Sequence, residues 1–180
     1  MKKSIFLIAA AMMVFMVGCH NENKNQNNKV SESDVKKAEQ ALFNEDQTVN
    51  TEAVAEAVSA FSKYAEENPG AADAAEYLFK AVEVSINTRQ DAQQSIELVN
   101  KLVASYPEYD KNPVALFMMA TFVYEEQLGE LGKARETYQR IIDNYPDSPF
   151  AKDAAIAITQ LGMTPDELIK MFEAQSPSEE

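Results

Sequence analysis

One spacing recurs three times in this chain and constrains its fold more than any other feature. Ala57, Phe61 and Pro69 are followed by Ser95, Val99 and Pro107, and then by Ala134, Tyr138 and Pro146. In each set a small residue precedes a larger apolar or aromatic one by four positions, and a proline follows eight positions later. The four-residue step is one helical turn, so the pair shares a helix face. The small member lets a second helix approach, the larger one fills the space beside it, and the proline stops the helix. A unit that returns every 38 or 39 residues and cannot bury its own apolar face has to stack against its copies.

The surrounding pattern is helical. Val54, Ala57, Val58, Phe61 and Tyr64 fall at i, i+3, i+4, i+7 and i+10, and the same period runs through Ile96 to Tyr106 and Ala134 to Tyr145. No stretch sustains the two-residue alternation of a strand. Asn112-Pro113 and Ser148-Pro149 read as a cap followed by proline at the first helical position. Thr164-Pro165-Asp166-Glu167 reads as a capping box, and Thr88 with Asp91 has a related spacing. These signals predict about eight helices, at roughly 33–44, 51–67, 71–87, 89–105, 113–128, 131–144, 149–161 and 165–175, paired by short loops into four antiparallel hairpins.

The repeated Ala-x3-aromatic and proline resemble the second helix of the tetratricopeptide (TPR) repeat. Tyr77, Ala81 and Val84, and then Leu116, Ala120 and Val123, stand where the first helix of that repeat carries its Trp, Gly and Tyr. The string YPDSPFAKDAA, Tyr145 to Ala155, is similar to strings in TPR proteins of the bacterial envelope, among them the barrel-assembly lipoprotein and the Tol-Pal-associated coordinator. The resemblance implies an all-α fold, a short TPR-like right-handed helical solenoid, whose first helices line a concave partner-binding face. Aligning Ala81 and Ala120 with the small residue of those helices puts Leu78, Val82, Ser85 and Ile86 on that face, together with Val114, Phe117, Thr121, Tyr124 and Glu125. Leu78, Val82, Phe117, Thr121 and Tyr124 are the candidate contact residues.

The chain starts with Lys2, Lys3 and an unbroken apolar run from Ile5 to Val17. As a helix that run would reach about 20 Å against a bilayer core of about 30 Å, so it has the length of a signal-peptide core and not of a membrane span. It ends in Val17-Gly18-Cys19, which resembles a bacterial lipoprotein signal with Cys19 as the residue that receives lipid. The resemblance implies removal of residues 1–18, acylation at Cys19 and anchorage at the outer membrane, facing the periplasm, since no Asp follows the cysteine. Residues 19–30 then form a tether. After Cys19 its sequence, HNENKNQNNKV, holds five asparagines and nothing apolar before Val30. The domain is expected over 31–175, with a disordered tail at 176–180.

Charge and residue usage narrow the function. The formal net charge is -13, and losing Lys2 and Lys3 with the leader would take it to -15. Nucleic acid is excluded as a partner on general electrostatics, because that affinity comes from cations neutralising phosphates. The one histidine, His20, sits beside Cys19, the one cysteine. The domain therefore has no means for a Ser-His-Asp or Cys-His nucleophile or a histidine-based zinc site. Gly129-Glu-Leu-Gly132-Lys133 lacks the first glycine and the Ser or Thr of a phosphate loop, and it follows a helix. Acidic pairs such as Glu125-Glu126 arise readily among 29 acidic residues. The expected function is a non-enzymatic, lipid-anchored adaptor without cofactor or metal that binds envelope proteins. Glycan capture at the outer membrane and a structural homo-oligomer are the alternatives.

Overall fold

The computed structural model describes residues 29–175. The chain runs through α1 (Glu32–Ala41), α2 (Val54–Glu67), α3 (Ala74–Thr88), α4 (Ala92–Ser105) and α5 (Asn112–Met118). A π-helical segment, Met119–Gln127, continues α5 without a break. Then come α6 (Leu131–Asn144), α7 (Pro149–Gln160) and α8 (Pro165–Gln175). Among the described residues there is no strand, only an isolated antiparallel bridge between Phe43 and Val49.

The architecture is the expected all-α, TPR-like solenoid. Each helix from α1 to α7 packs against the next one, and the alternate helices α3, α5 and α7 also touch one another, whereas α2, α4 and α6 do not pack together in this way. The array is therefore tighter on the side of α3, α5 and α7. A stack closer on one side than on the other curves toward the close side, so these first helices form the concave layer.

The recurring pair does the packing assigned to it. Ala57 and Phe61 are buried on α2, Ser95 and Val99 on α4, and Ala134 and Tyr138 on α6. Tyr77 of α3 meets Phe61 with ring centroids 5.8 Å apart and Tyr64 edge-on at 5.0 Å. Such contacts make the repeats interdependent, since offset and edge-on aromatic pairs add to the burial itself. Across α3 and α4 the buried hydroxyls of Ser85 and Ser95 hydrogen-bond at 2.7 Å.

Helix ends follow their chemistry, with two differences from expectation. Ser148 caps α7, its Oγ accepting from the Phe150 amide at 3.3 Å, and Thr164 with Glu167 forms the capping box. Asp91, not Thr88, caps α4: its carboxylate accepts from the Gln94 amide at 3.0 Å, while the Thr88 hydroxyl donates back to the Val84 carbonyl inside α3. Asn112 is already helical and fully buried. Its amide donates to the Tyr106 carbonyl at 2.7 Å and to the Pro107 carbonyl at 3.2 Å, which fastens α5 to the preceding loop.

The π segment has a numerical origin. The buried positions of α3, at 77, 78, 81, 82, 85 and 86, recur 38 residues later at 115, 116, 119, 120, 123 and 124. Those of α4, at 95, 98, 99 and 102, recur 39 residues later at 134, 137, 138 and 141. One additional residue enters between the two registers. A turn closed by an i to i−5 bond holds one residue more than an α turn, and the Leu128 amide donates to the Val123 carbonyl at 3.0 Å in this manner.

Candidate partner-binding face

On α3, Glu76, Lys80, Glu83, Val84 and Asn87 form the stripe left uncovered; none of them is fully buried. The opposite side is apolar and closed. The concave layer is tied across its width by ion pairs. Lys80 of α3 reaches Glu39 of α1 at 2.6 Å, and Lys111, just before α5, reaches Glu76 at 2.7 Å. Arg89 pairs with Glu126 of the π segment, and Gln127 Nε2 donates to the Arg89 carbonyl at 3.1 Å. Tyr109 donates to Glu76 at 2.5 Å, and the Lys111 ammonium lies 4.9 Å from the Phe79 ring centroid. Burial alone would raise the Glu76 carboxyl, but the Lys111 and Tyr109 bonds outweigh it and hold the group below its usual range.

The five sequence-derived contact residues divide. Leu78 and Val82 are core residues, 1% and 0% exposed. They lie on the side of α3 that meets neighbouring helices, so the expectation that they line an open groove is corrected. The open stripe begins two positions away, at Lys80 and Val84, and two residues are about 200° of helix. Ser85 and Ile86, placed on the same face by the same alignment, are buried as well. Phe117 is half-buried, with its ring 5.3 Å from Tyr138 of α6 and 5.6 Å from Phe150 of α7. Tyr124 is buried, and Lys133 at the start of α6 lies over its ring. Both aromatic residues thus serve the contact between helices. Thr121 stands at the position equivalent to Glu83, half-buried, its hydroxyl 2.7 Å from the Tyr138 hydroxyl.

The face has contributors that the sequence reading missed. Val84 recurs at Phe122 and Lys80 at Met118, so the equivalent stripe of α5 and the π segment carries half-buried apolar residues. At the other end, α1, the loop after it and α3 enclose a pocket of about 390 Å³ lined by Leu42, Phe43, Val49, Glu83 and Val84, among others. The missed signal was the interruption of the α3 apolar run by Lys80 and Glu83, which marks the wet edge of the stripe. Burial pushes the Glu83 carboxyl up, and it does the same to Glu125, whose carboxylate is 3.4 Å from the Tyr138 hydroxyl.

Val114 to Ser148, comprising most of α5, the π segment, α6 and the turn after it, match the family model of the tetratricopeptide repeat. The chain contains a TPR repeat. No curated protein matches the sequence. The matched TPR unit lies in the middle of the stack, and the α3–α4 pair repeats most of its burial pattern. TPR repeats generally mediate binding between proteins. Among the described residues no group of three or more His, Cys, Asp or Glu is placed to hold a metal, and no helix is long and apolar enough to cross a membrane. Cys19 lies outside the described residues.

Proposed function

We propose that this chain is a lipid-anchored adaptor of the bacterial envelope that grips protein partners on the concave face of its TPR array, serving outer-membrane assembly or envelope coordination. The observation that carries the reading is the pocket at the α1–α3 end of that face, with half-buried Met118 and Phe122 at the equivalent stripe one unit later. Among the described residues nothing covers this apolar surface, and such surface rimmed by charge is what an adaptor offers. Anchorage at Cys19 is inferred from the leader, and a two-chain lipid would make it stable. The tether would let the domain work roughly 20 Å from the lipid, at about 5–6 Å times the square root of its length.

Photo-crosslinking in intact cells tests this. A photoreactive residue at Asn87, exposed on the concave stripe, should capture a defined protein, while one at Gln139, exposed on α6, should not. Equal yields from both positions would sink the concave-face reading. Labelling with a radioactive fatty acid should mark the wild type and spare Cys19→Ser; label on the variant would remove the anchor from the proposal.

Self-association is a second reading, favoured by α8. This helix is packed along no other helix in the described residues and leaves Ile169 55% exposed. A sedimentation-derived mass that rises with concentration, and falls back on Ile169→Glu, would support it.

A further inference from the structure

The α1–α3 pocket has two features that together describe an occupant. The first is its rim. The loop that follows α1 is closed like a small clasp: the Asn44 amide donates to the Thr48 carbonyl at 2.9 Å, and the Asn50 amide to the Leu42 carbonyl at 2.8 Å. Asp46 accepts from the Thr48 hydroxyl at 2.6 Å, and Gln47 takes the left-handed conformation with φ 68° to turn the chain. This tightly bonded polar loop displays two large apolar side chains to water, Phe43 at 55% and Val49 at 46% exposure. A preorganised apolar rim gives binding surface without the cost of ordering a loop.

The second feature is the carboxylate below it. Glu83 lines the pocket beside Val84, is half-buried, and has no hydrogen bond or ion pair within the described residues. Two lysines reach it through their charge alone, and both are occupied: Lys80, which also lines the pocket, by Glu39, and Lys111 by Glu76. A carboxylate partly withdrawn from water and left without a partner is destabilised, and a cation brought in by a ligand relieves it. The chain's net charge of -13 adds a long-range attraction for a basic ligand.

We infer that this pocket takes a basic side chain flanked by large apolar ones from a peptide segment of the partner protein, the ammonium or guanidinium on Glu83 and the apolar neighbours against Phe43, Val49 and Val84. The inference rests on the adaptor reading and gives it a recognition chemistry. An acidic segment is rejected by Glu83, and a purely apolar one leaves that carboxylate buried and unpaired.

The test titrates the full chain with fluorescent acetylated pentapeptides: Gly-Phe-Lys-Phe-Gly, the same with Glu or norleucine for Lys, and Gly-Ala-Lys-Ala-Gly. The Phe-Lys-Phe peptide is expected to bind at least about tenfold more tightly than the other three, the size of one charge-assisted hydrogen bond. Glu83→Gln, which keeps the side chain's shape, should abolish the preference for Lys over norleucine. Phe43→Ala, at an exposed position that leaves the melting temperature unchanged, should weaken the Phe-Lys-Phe peptide without changing the Gly-Ala-Lys-Ala-Gly one. Equal affinities across the set, no binding by any peptide, or a lysine preference that survives Glu83→Gln overturns the inference. If Asn87 still crosslinks a partner in cells under those outcomes, the adaptor reading stands and this pocket's chemistry falls. If the peptides obey Glu83 but nothing crosslinks at Asn87, the reverse holds.

Discussion

The Tyr138 hydroxyl lies 2.7 Å from Thr121 Oγ1, joining the second helix of the TPR unit to the widened turn of its first. Tyr138 is 1% exposed, and its hydroxyl also lies 3.4 Å from the Glu125 carboxylate. The aromatic residue of the repeat motif therefore packs with its ring and fastens the π segment with its oxygen.

Removing only that oxygen, by Tyr138→Phe, is expected to cost about 0.5–1.5 kcal/mol of stability in urea unfolding. Truncation to Ala should cost about 3–5 kcal/mol, because the buried ring goes too. A Tyr138→Phe variant as stable as the wild type would show that the hydroxyl contributes nothing.

The Ser85–Ser95 bond is asymmetric. Ser95 Oγ also donates to the Asp91 carbonyl at 3.1 Å, whereas among the described residues Ser85 Oγ bonds to Ser95 alone. Ser95→Ala orphans a buried hydroxyl and is expected to cost about 1–3 kcal/mol; Ser85→Ala leaves Ser95 a partner and should cost less. In the double variant the second change should add little. A strictly additive cycle would contradict this account.

Ala134 is fully buried at the α6 contact and Glu136 is exposed on the same helix. Ala134→Leu should lower stability by about 1–3 kcal/mol through overpacking, and Glu136→Leu should stay within about 0.5 kcal/mol. Thermal melts of the two variants make the comparison, and matching melting temperatures would refute the packing assigned to Ala134.

The helices themselves were legible in the sequence, and so was the register of the second helices; which face the first helices leave open was not, for a physical reason. Ala134, Tyr138 and Pro146 each do a different job at fixed spacing, so their order sets the register of α6. In α3 the residues Tyr77, Leu78, Phe79, Ala81, Val82, Ser85 and Ile86 are all buried, because that helix is enclosed on more than one side. An apolar arc so broad has no single centre, and aligning it on Ala81 turned Leu78 and Val82 outward in place of Lys80 and Val84. The pocket was hidden for another reason. It depends on the loop after α1, whose Phe43 read as the end of a helix, and only the fold brings that loop beside Glu83.

Tyr64 carries the pH dependence with a readable sign. Its hydroxyl donates to Asp73 at 2.9 Å, and this bond, helped by burial, pushes the phenol up to about 12. The unfolded chain releases that proton near 10. Below 10 both states hold it and the contribution is complete; between about 10 and 12 the unfolded state binds fewer protons and stability falls as pH rises. Denaturation midpoints measured from pH 9 to 12 should decline less steeply for Tyr64→Phe than for the wild type. Parallel curves would count against the Asp73 bond as the cause.

The π segment also bears on how such an array can change length. A residue gained inside a regular helix rotates everything after it by about 100° and would turn α6 away from its neighbours. Here the gain is taken up within one stretch of backbone, and Ala134 and Tyr138 still meet the contacts that Ser95 and Val99 meet one unit earlier. Met119–Gln127 works as an expansion joint: it takes up the one-residue gain and leaves both flanking interfaces in phase.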